Sequence, residues 1–338
     1  MLNWFQKKWP AGPKAARQEL LAGACFLAAL LLFIALTSAW LLPVRDDHGS
    51  NWGAFLQEEK NSLDAMFFGS SIVYCDVIPA IIYETSGYAS YVMAGPEQTL
   101  PMTYYYIKEM YRSQKPQLVL VEVSGAFFPR YTNYTKINIG YMPWSANRLA
   151  ATFATAGREE WTGLLFPLYN YHELWVETSL RGKRYSADRL AGYSFLGEGP
   201  GVKAWAERKV EWDEKEFERN VSYLQKITRL CGEKGSEVIF FVAPSYWPWE
   251  NSYLNLLEAR ITALGADYAD FNKSFAELGI DDTADFYDLL HFNAAGAKKF
   301  SAYVGAVIQG RLSGASAASR ALWDERLAYF RELPENTE

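Results

Sequence analysis

Two short motifs, far apart in the chain, contain the residue types that carry out acyl transfer. Gly69-Ser70-Ser71 follows the apolar stretch Leu63–Phe68, and Asp288 and His291 lie close together near the other end of the chain. A serine hydroxyl is almost fully protonated near neutral pH, so it needs an imidazole to take its proton during attack. A carboxylate beside that ring orients it and stabilises the imidazolium. The two motifs therefore indicate chemistry through a covalent acyl-enzyme.

The chain between these motifs alternates strand-like and helix-like stretches. The predicted strands are Leu63–Phe68, Ala89–Ala94, Gln117–Val123, Val238–Val242 and Tyr268–Phe271. This alternation predicts an α/β fold, a three-layer α/β/α sandwich with a mainly parallel five-stranded sheet. Sites in such sheets form at the carboxyl ends of the strands, where Ser71, Gly95, Ser124 and Ser245 are expected. The two motifs can meet there.

With the serine motif first and Asp-x-x-His last, the chain resembles the SGNH (GDSL-like) hydrolase superfamily. It is most similar to the membrane-anchored branch of alginate acetylation proteins and the D-alanyl transfer protein of teichoic acid operons. The resemblance covers roughly Leu63 to Ile308, with a large interruption. It implies Ser71 as the nucleophile, because the third residue attacks in the superfamily's Gly-Asp-Ser, and Ser70 replaces the aspartate. It also implies His291 as the base and Asp288 as the orienting acid.

The resemblance implies an oxyanion hole as well. The backbone N–H groups of Ser71 and Gly95 match two of the superfamily's three donors. The third donor, an asparagine in a Gly-x-Asn-Asp motif, is missing, because the third strand ends in Glu122-Val123-Ser124-Gly125. Glu122 is expected to be satisfied by backbone N–H groups. Three residues are candidates to replace the asparagine: Ser124, Gln98 and Asn133.

The N-terminal region predicts a membrane anchor. Leu20–Leu42 has no charged residue and, at about 1.5 Å per residue, is long enough to cross a bilayer. Basic residues before it and Arg45-Asp46-Asp47 after it place residues 1–19 in the cytoplasm and the catalytic part outside the cell membrane. A cleaved signal peptide is the alternative, since Thr37-Ser38-Ala39 resembles a cleavage site. The length of the apolar stretch favours a retained single-pass anchor at 20–42.

The rest of the chain divides by composition. Residues 43–61 are expected to form a stalk, residues 62–310 the catalytic domain with an aromatic-rich insertion at about 125–212, and residues 311–338 a C-terminal tail helix. Trp247 and Trp249 follow the fourth strand and either stack on a sugar ring or pack beneath the insertion. His172 and Trp175, within the insertion, either brace it or contact substrate.

Composition excludes several classes of function. The 338-residue chain is half hydrophobic, which supplies a substantial core, and its net charge of −6 argues against nucleic acid as a partner. It has three cysteines, too few for a disulfide framework. Neither zinc-type spacing nor a glycine-rich phosphate loop occurs, so we expect no metal and no cofactor.

The resemblance implies an enzyme of the bacterial cell envelope. It would transfer or remove acetyl-like groups on a cell-surface polysaccharide, and a membrane-bound O-acyltransferase would be its partner and donor. Transfer and hydrolysis remain equally open. The alternative is a non-catalytic scaffold that docks on such an acyltransferase and presents the polymer. The missing asparagine favours the scaffold, whereas the complete Ser71, Asp288 and His291 set favours the enzyme.

Overall fold

The computed structural model of the protein describes residues 13–41, 49, 52–130, 133–171, 187–197, 212–245, 251–314 and 316–333. The chain divides into two compact units. One comprises Met1–Pro43 and Thr162–Lys183, and the other comprises Val44–Trp161 and Arg184–Glu338. The described parts of the first unit are residues 13–41 and 162–171. The second unit contains the sheet and both sequence motifs.

A parallel sheet forms the centre of the second unit. Its strands are β1 (Ala65–Gly69), β2 (Ser90–Ala94), β3 (Leu118–Glu122), β4 (Glu237–Val242) and β5 (Asp267–Asp270). They lie side by side in the order β2-β1-β3-β4-β5, and every neighbouring pair is parallel. The chain changes direction across the sheet between β1 and β3. In open α/β sheets a crevice for ligands forms at such a switch point, outside the carboxyl ends of the strands.

Helices connect and cover these strands. Those before residue 200 are α1 (Pro13–Leu41), α2 (Trp52–Phe55), α3 (Ser71–Asp76), α4 (Pro79–Ser86), α5 (Leu100–Met110), α6 (Thr135–Gly140), α7 (Ala146–Thr155), α8 (Trp161–Leu165) and α9 (Pro167–Tyr171). Those after it are α10 (Glu214–Lys234), α11 (Asn251–Ala263), α12 (Phe275–Leu278), α13 (Ala294–Arg311) and α14 (Arg320–Glu332).

The apolar strands are explained by burial on both faces of the sheet. Phe67 is fully buried in a cluster with residues of α3, α4, α13 and α14, including Ile82, Phe300 and Phe330. The next residue, Phe68, points to the opposite face, since side chains alternate along a strand. Helices α5, α7 and α10 pack together as the layer on that side. The predicted three-layer α/β/α sandwich with a parallel five-stranded sheet is therefore confirmed.

Two predicted appendages are instead parts of this core. Within the expected stalk, Trp52 and Phe55 are buried, and their rings lie 5.0 Å from that of Tyr106 and 5.2 Å from that of Tyr91. Within the expected tail, Arg326 is buried in an ion pair with Glu58. Trp323 and Phe330 of the tail are buried as well. Removing such large apolar side chains from water is favourable, so neither segment stands apart.

Among the described residues, helix α1 contains the one stretch that is a candidate membrane span. The span is Ala16–Ser38, and its most apolar 18-residue window has a mean hydropathy of 2.6 and no residue buried within the protein. This helix is long and apolar enough to serve as a membrane anchor or as a signal sequence.

Candidate active site

The turn after β1 presents the predicted nucleophile. Gly69 ends the strand where space is tight, because a β-carbon there would lie 2.8 Å from Cβ of Glu122. Ser70 is buried, and Ser71 is the first residue of α3. Its backbone N–H has no helical acceptor, as is general for the first turn of a helix. The chain thus leaves β1 with one serine buried and the next at the rim of the sheet.

The loop before α13 presents the predicted base and acid. Oδ1 of Asp288 accepts the backbone N–H groups of Leu290 and His291 at 2.8 and 2.9 Å, which closes a tight turn. The N–H of Tyr287 donates to the carbonyl of His291 at 2.9 Å. Asn293 then caps α13, since its side-chain oxygen accepts from the first N–H groups of that helix. The spacing of Asp288 and His291 is therefore fixed by local hydrogen bonds.

The three side chains form one continuous hydrogen-bonded chain. Nε2 of His291 lies 2.8 Å from Oγ of Ser71, and Nδ1 lies 2.9 Å from both carboxylate oxygens of Asp288. An ionised carboxylate can only accept, so the neutral ring carries its proton on Nδ1. Nε2 is then free to accept the Ser71 proton. The structure brings Ser71, and not Ser70, against the imidazole.

Electrostatics keep Asp288 ionised. Partial burial raises the pKa of its carboxyl group, but the hydrogen bond and charge of His291, with the N–H groups of Leu290 and His291, outweigh this effect. The net pKa of Asp288 is below its ordinary value. The His291 side chain is 17% exposed and that of Asp288 44% exposed, so the ring is more enclosed than the acid. This arrangement can accept a proton from serine and stabilise the resulting imidazolium.

A second acid, which sequence reasoning missed, joins the two halves of the site. Asp76 ends α3, is fully buried, and accepts the backbone N–H of Phe292 at 2.9 Å. Burial raises the pKa of Asp76 well above its ordinary value, and the charges of Asp288 and Glu122 add to this effect. The signal in the sequence was an acidic residue within the apolar stretch that follows Ser71. Asp76 positions the loop that carries His291 relative to the helix that carries Ser71.

The predicted oxyanion donors are partly engaged elsewhere. Gly95 donates its N–H to the carbonyl of Gly69 at 3.3 Å, a long contact that extends the pairing of β1 and β2. Ser124 donates its N–H and its hydroxyl to the two carboxylate oxygens of Glu122, at 2.9 and 2.7 Å. Glu122 therefore receives one backbone N–H, as expected, and one hydroxyl. Its burial raises its pKa to about 7.

The other candidate donors lie in different surroundings. Gln98 is buried and donates its side-chain N–H to Oγ1 of Thr103 at 3.0 Å. Asn133 is exposed. Asn138, which the sequence did not single out, places its amide oxygen over Gly95, where a β-carbon would clash. Its amide nitrogen donates to the carbonyl of Pro96 at 2.9 Å and to Sδ of Met102 at 3.7 Å, so both of its N–H groups are engaged away from the site.

The predicted substrate contacts cannot be placed in this site. His172, Trp175, Trp247 and Trp249 lie outside the described residues. The candidate site consists of what the described chain brings together: Ser71, His291 and Asp288, with Asp76 behind them.

Comparisons with known proteins give a similarity of fold. No protein-family model matches the chain, and no curated protein matches it. A solved catalytic mutant of an acetylxylan esterase from Geobacillus stearothermophilus is 9% identical, with 77% of this chain and 98% of that chain covered and a TM-score of 0.38. A protein from Parabacteroides merdae described as a GDSL-like lipase is 10% identical, with 75% and 98% covered and a TM-score of 0.36. Both identities are below 25% and both TM-scores are below 0.5, so neither similarity assigns a reaction to this chain.

Proposed function

We propose that this chain is a membrane-anchored, extracytoplasmic serine O-acyltransferase or esterase of SGNH type. The observation that carries the proposal is the unbroken chain of short contacts from Ser71 through His291 to Asp288. Such a set recurs on unrelated folds wherever a serine must become nucleophilic near neutral pH. Its place at the carboxyl end of β1, beside the switch point of the sheet, supports the same reading.

The chemistry follows from the three side chains. The hydroxyl of Ser71 transfers its proton to Nε2 of His291 as Oγ bonds to the acyl carbon. Collapse of the tetrahedral intermediate breaks the bond to the donor's oxygen or sulfur, which leaves with the proton from His291. An acceptor hydroxyl then loses its proton to His291 and attacks the acyl-serine. The bond between the acyl carbon and Oγ breaks, and His291 returns the proton to Oγ of Ser71. A sugar hydroxyl as acceptor gives transfer, and water gives hydrolysis.

The setting of this reaction is part of the proposal. The apolar α1, with basic residues before it, supports a retained anchor with the catalytic unit outside the cytoplasm. The motifs Gly69-Ser70-Ser71 and Asp288-Leu289-Leu290-His291 support the likeness to the polymer-acylating SGNH branch. On that likeness the acceptor is a surface polysaccharide, the group is acetyl-like, and a membrane-bound O-acyltransferase is the partner.

Labelling of the full chain, purified in detergent, with a fluorophosphonate probe tests the enzyme. We expect the label on Ser71, identified by peptide mass spectrometry, with loss of labelling in Ser71→Ala and in His291→Ala. Ser70→Ala is the matched control, because it removes the neighbouring hydroxyl and leaves the contact of Ser71 with His291. Labelling of the His291→Ala variant to the same extent as the wild type would contradict the proposed activity. Absence of label on the folded wild-type chain would contradict it as well.

The donors of the oxyanion site favour a second candidate, the non-catalytic scaffold. Ser124 directs both its donors to Glu122, and Gly95 directs its N–H to Gly69. An oxyanion hole with fewer free donors loses about 10²–10³ in rate for each donor. Expression of a Ser71→Ala, Asp288→Ala and His291→Ala triple variant in a deletion strain separates the two candidates. Restored polymer acylation would identify the scaffold, and lost acylation with normal protein level would identify the enzyme.

A further inference from the structure

Part of the aromatic insertion returns to the same compact unit as the candidate membrane span. Residues 162–171, here called the return segment, cluster with α1 although they follow it by more than a hundred residues. Helix α9 packs on α1, and the N–H of Leu168 donates to Oγ of Ser38 at 3.2 Å. Ser38 is buried. The return segment therefore has a defined contact point on α1, at the last residue of the span.

The position of this contact fixes a depth in the bilayer. Ala16–Ser38 comprises 23 residues, so a helix of this length extends about 35 Å, whereas the hydrocarbon core is about 30 Å thick. Ser38 consequently lies at the boundary between hydrocarbon and headgroups. With residues 1–19 in the cytoplasm, it is the outer boundary. Leu168 lies at the same level, because its N–H touches the Ser38 side chain.

The exposed side chains of the return segment suit that level. Phe166, which lies between α8 and α9, is 40% exposed, and Tyr169 of α9 is 66% exposed. The N–H of Tyr169 donates to the carbonyl of Phe166 at 2.8 Å, which holds the two residues close together. Leu164, which precedes them, and Pro167, which lies between them, are buried. Tyrosine and other aromatic side chains concentrate at membrane–water interfaces, where the ring contacts acyl chains and a polar group contacts water.

We infer that the return segment is a second membrane contact, with Phe166 and Tyr169 inserted into the headgroup region of the outer leaflet. The inference rests on the retained anchor of the proposed function. The chain thus meets the bilayer twice: once as it leaves the membrane at Ser38, and again in the insertion that follows β3. The occupant of this aromatic surface is lipid, since the spanning helix beside it is itself covered by lipid.

Nitroxide labels on the full chain, reconstituted in vesicles of phosphatidylethanolamine and phosphatidylglycerol, test the inference. Phe166→Cys and Tyr169→Cys carry the labels in a Cys25→Ser background, because Cys75 and Cys231 are buried. Leu322→Cys is the matched control, an apolar residue of α14 that is 38% exposed. We expect the ratio of collisions with oxygen to collisions with a water-soluble nickel chelate to be several-fold higher at the first two positions than at the third.

Three outcomes are distinguishable. Equal ratios at all three positions, with the anchor present by intact mass, would overturn the second contact and leave the anchor standing. Low collision rates with both reagents would mean that protein covers Phe166 and Tyr169, which also overturns the lipid contact. An intact mass that lacks the N-terminal helix would overturn the anchor and the inference together. Labelling of Ser71 by a fluorophosphonate is independent of all three.

Discussion

Replacing Asp288 with asparagine tests the proton-transfer side of the site with the smallest steric change. The asparagine oxygen retains the N–H groups of Leu290 and His291, which Oδ1 accepts at 2.8 and 2.9 Å. Its amide nitrogen then faces Nδ1 of His291. Because an amide N–H can only donate, it stabilises the tautomer with the proton on Nε2, and that nitrogen can no longer accept from Ser71.

The size of the effect follows from the contact. At 2.9 Å, and with an effective dielectric constant of about 20, the charges of Asp288 and an imidazolium attract by about 6 kcal/mol. The Asp288 side chain is 44% exposed, and solvent screening reduces this to about 3–4 kcal/mol. This free energy corresponds to a loss in rate of about 10²–10³.

The assay is the second-order rate constant for fluorophosphonate labelling of Ser71 in the full chain. Asp213→Asn is the matched control: Asp213 caps α10 by accepting the N–H of Glu216 at 2.8 Å, and asparagine caps a helix equally well. We expect its rate to equal that of the wild type. If Asp288→Asn is labelled within about threefold of the wild-type rate, with unchanged thermal unfolding, the role assigned to Asp288 is wrong.

Three further predictions concern buried acids. Glu122 has a folded-state pKa of about 7 against 4.5 ordinarily, so the free energy of unfolding should fall by about 3 kcal/mol as pH rises from about 4.5 to 7. Denaturant unfolding at a series of pH values measures this fall, and Glu122→Gln should abolish it. Parallel pH curves for the two proteins would contradict the prediction. Asp76→Ala should slow labelling of Ser71 and lower the free energy of unfolding by about 1–3 kcal/mol, because it leaves the buried N–H of Phe292 unpaired. Asp76→Asn keeps an acceptor oxygen and should restore both the labelling rate and the stability. No difference between the two variants would refute the positioning role. Arg326→Ala should lower the free energy of unfolding by about 3–5 kcal/mol, because it leaves the buried carboxylate of Glu58 without its partner. Arg331→Ala removes an exposed ion pair and should lower it by less than about 1 kcal/mol. Equal losses for the two variants in thermal unfolding would count against this prediction.

The sheet, and the turn that joins Asp288 to His291, could be predicted because their signals are local. A run such as Leu118–Val121 is apolar on both faces wherever helices cover a parallel strand, and a carboxylate three residues before a histidine can close a turn without help from the rest of the chain. The order of the motifs along the chain then placed Ser71 and His291 at one edge of the sheet.

The remaining features depend on contacts between distant residues. Nothing near Trp52 in the sequence indicates that its ring meets Tyr106, and nothing near Arg326 indicates Glu58 as its partner. The role of Asp76 is of the same kind, since its acceptor oxygen binds a backbone N–H more than two hundred residues away. Patterns of hydrophobicity predict which helix or strand a residue belongs to, but they do not predict which distant residue it contacts or pairs with.

The two sides of the candidate site differ in how far they are assembled in advance. On the proton-transfer side, every hydrogen bond from Asp288 to Ser71 is in place, and Asp76 fixes the loop from behind. On the oxyanion side, Ser124 is held by Glu122. Proton transfer is therefore preorganised, whereas stabilisation of the oxyanion depends on the Ser71 N–H or on donors that rearrange or arrive with a partner. Under the proposed function, labelling of Ser71 therefore reports on proton transfer, whereas the rate of acyl transfer depends on the oxyanion donors as well.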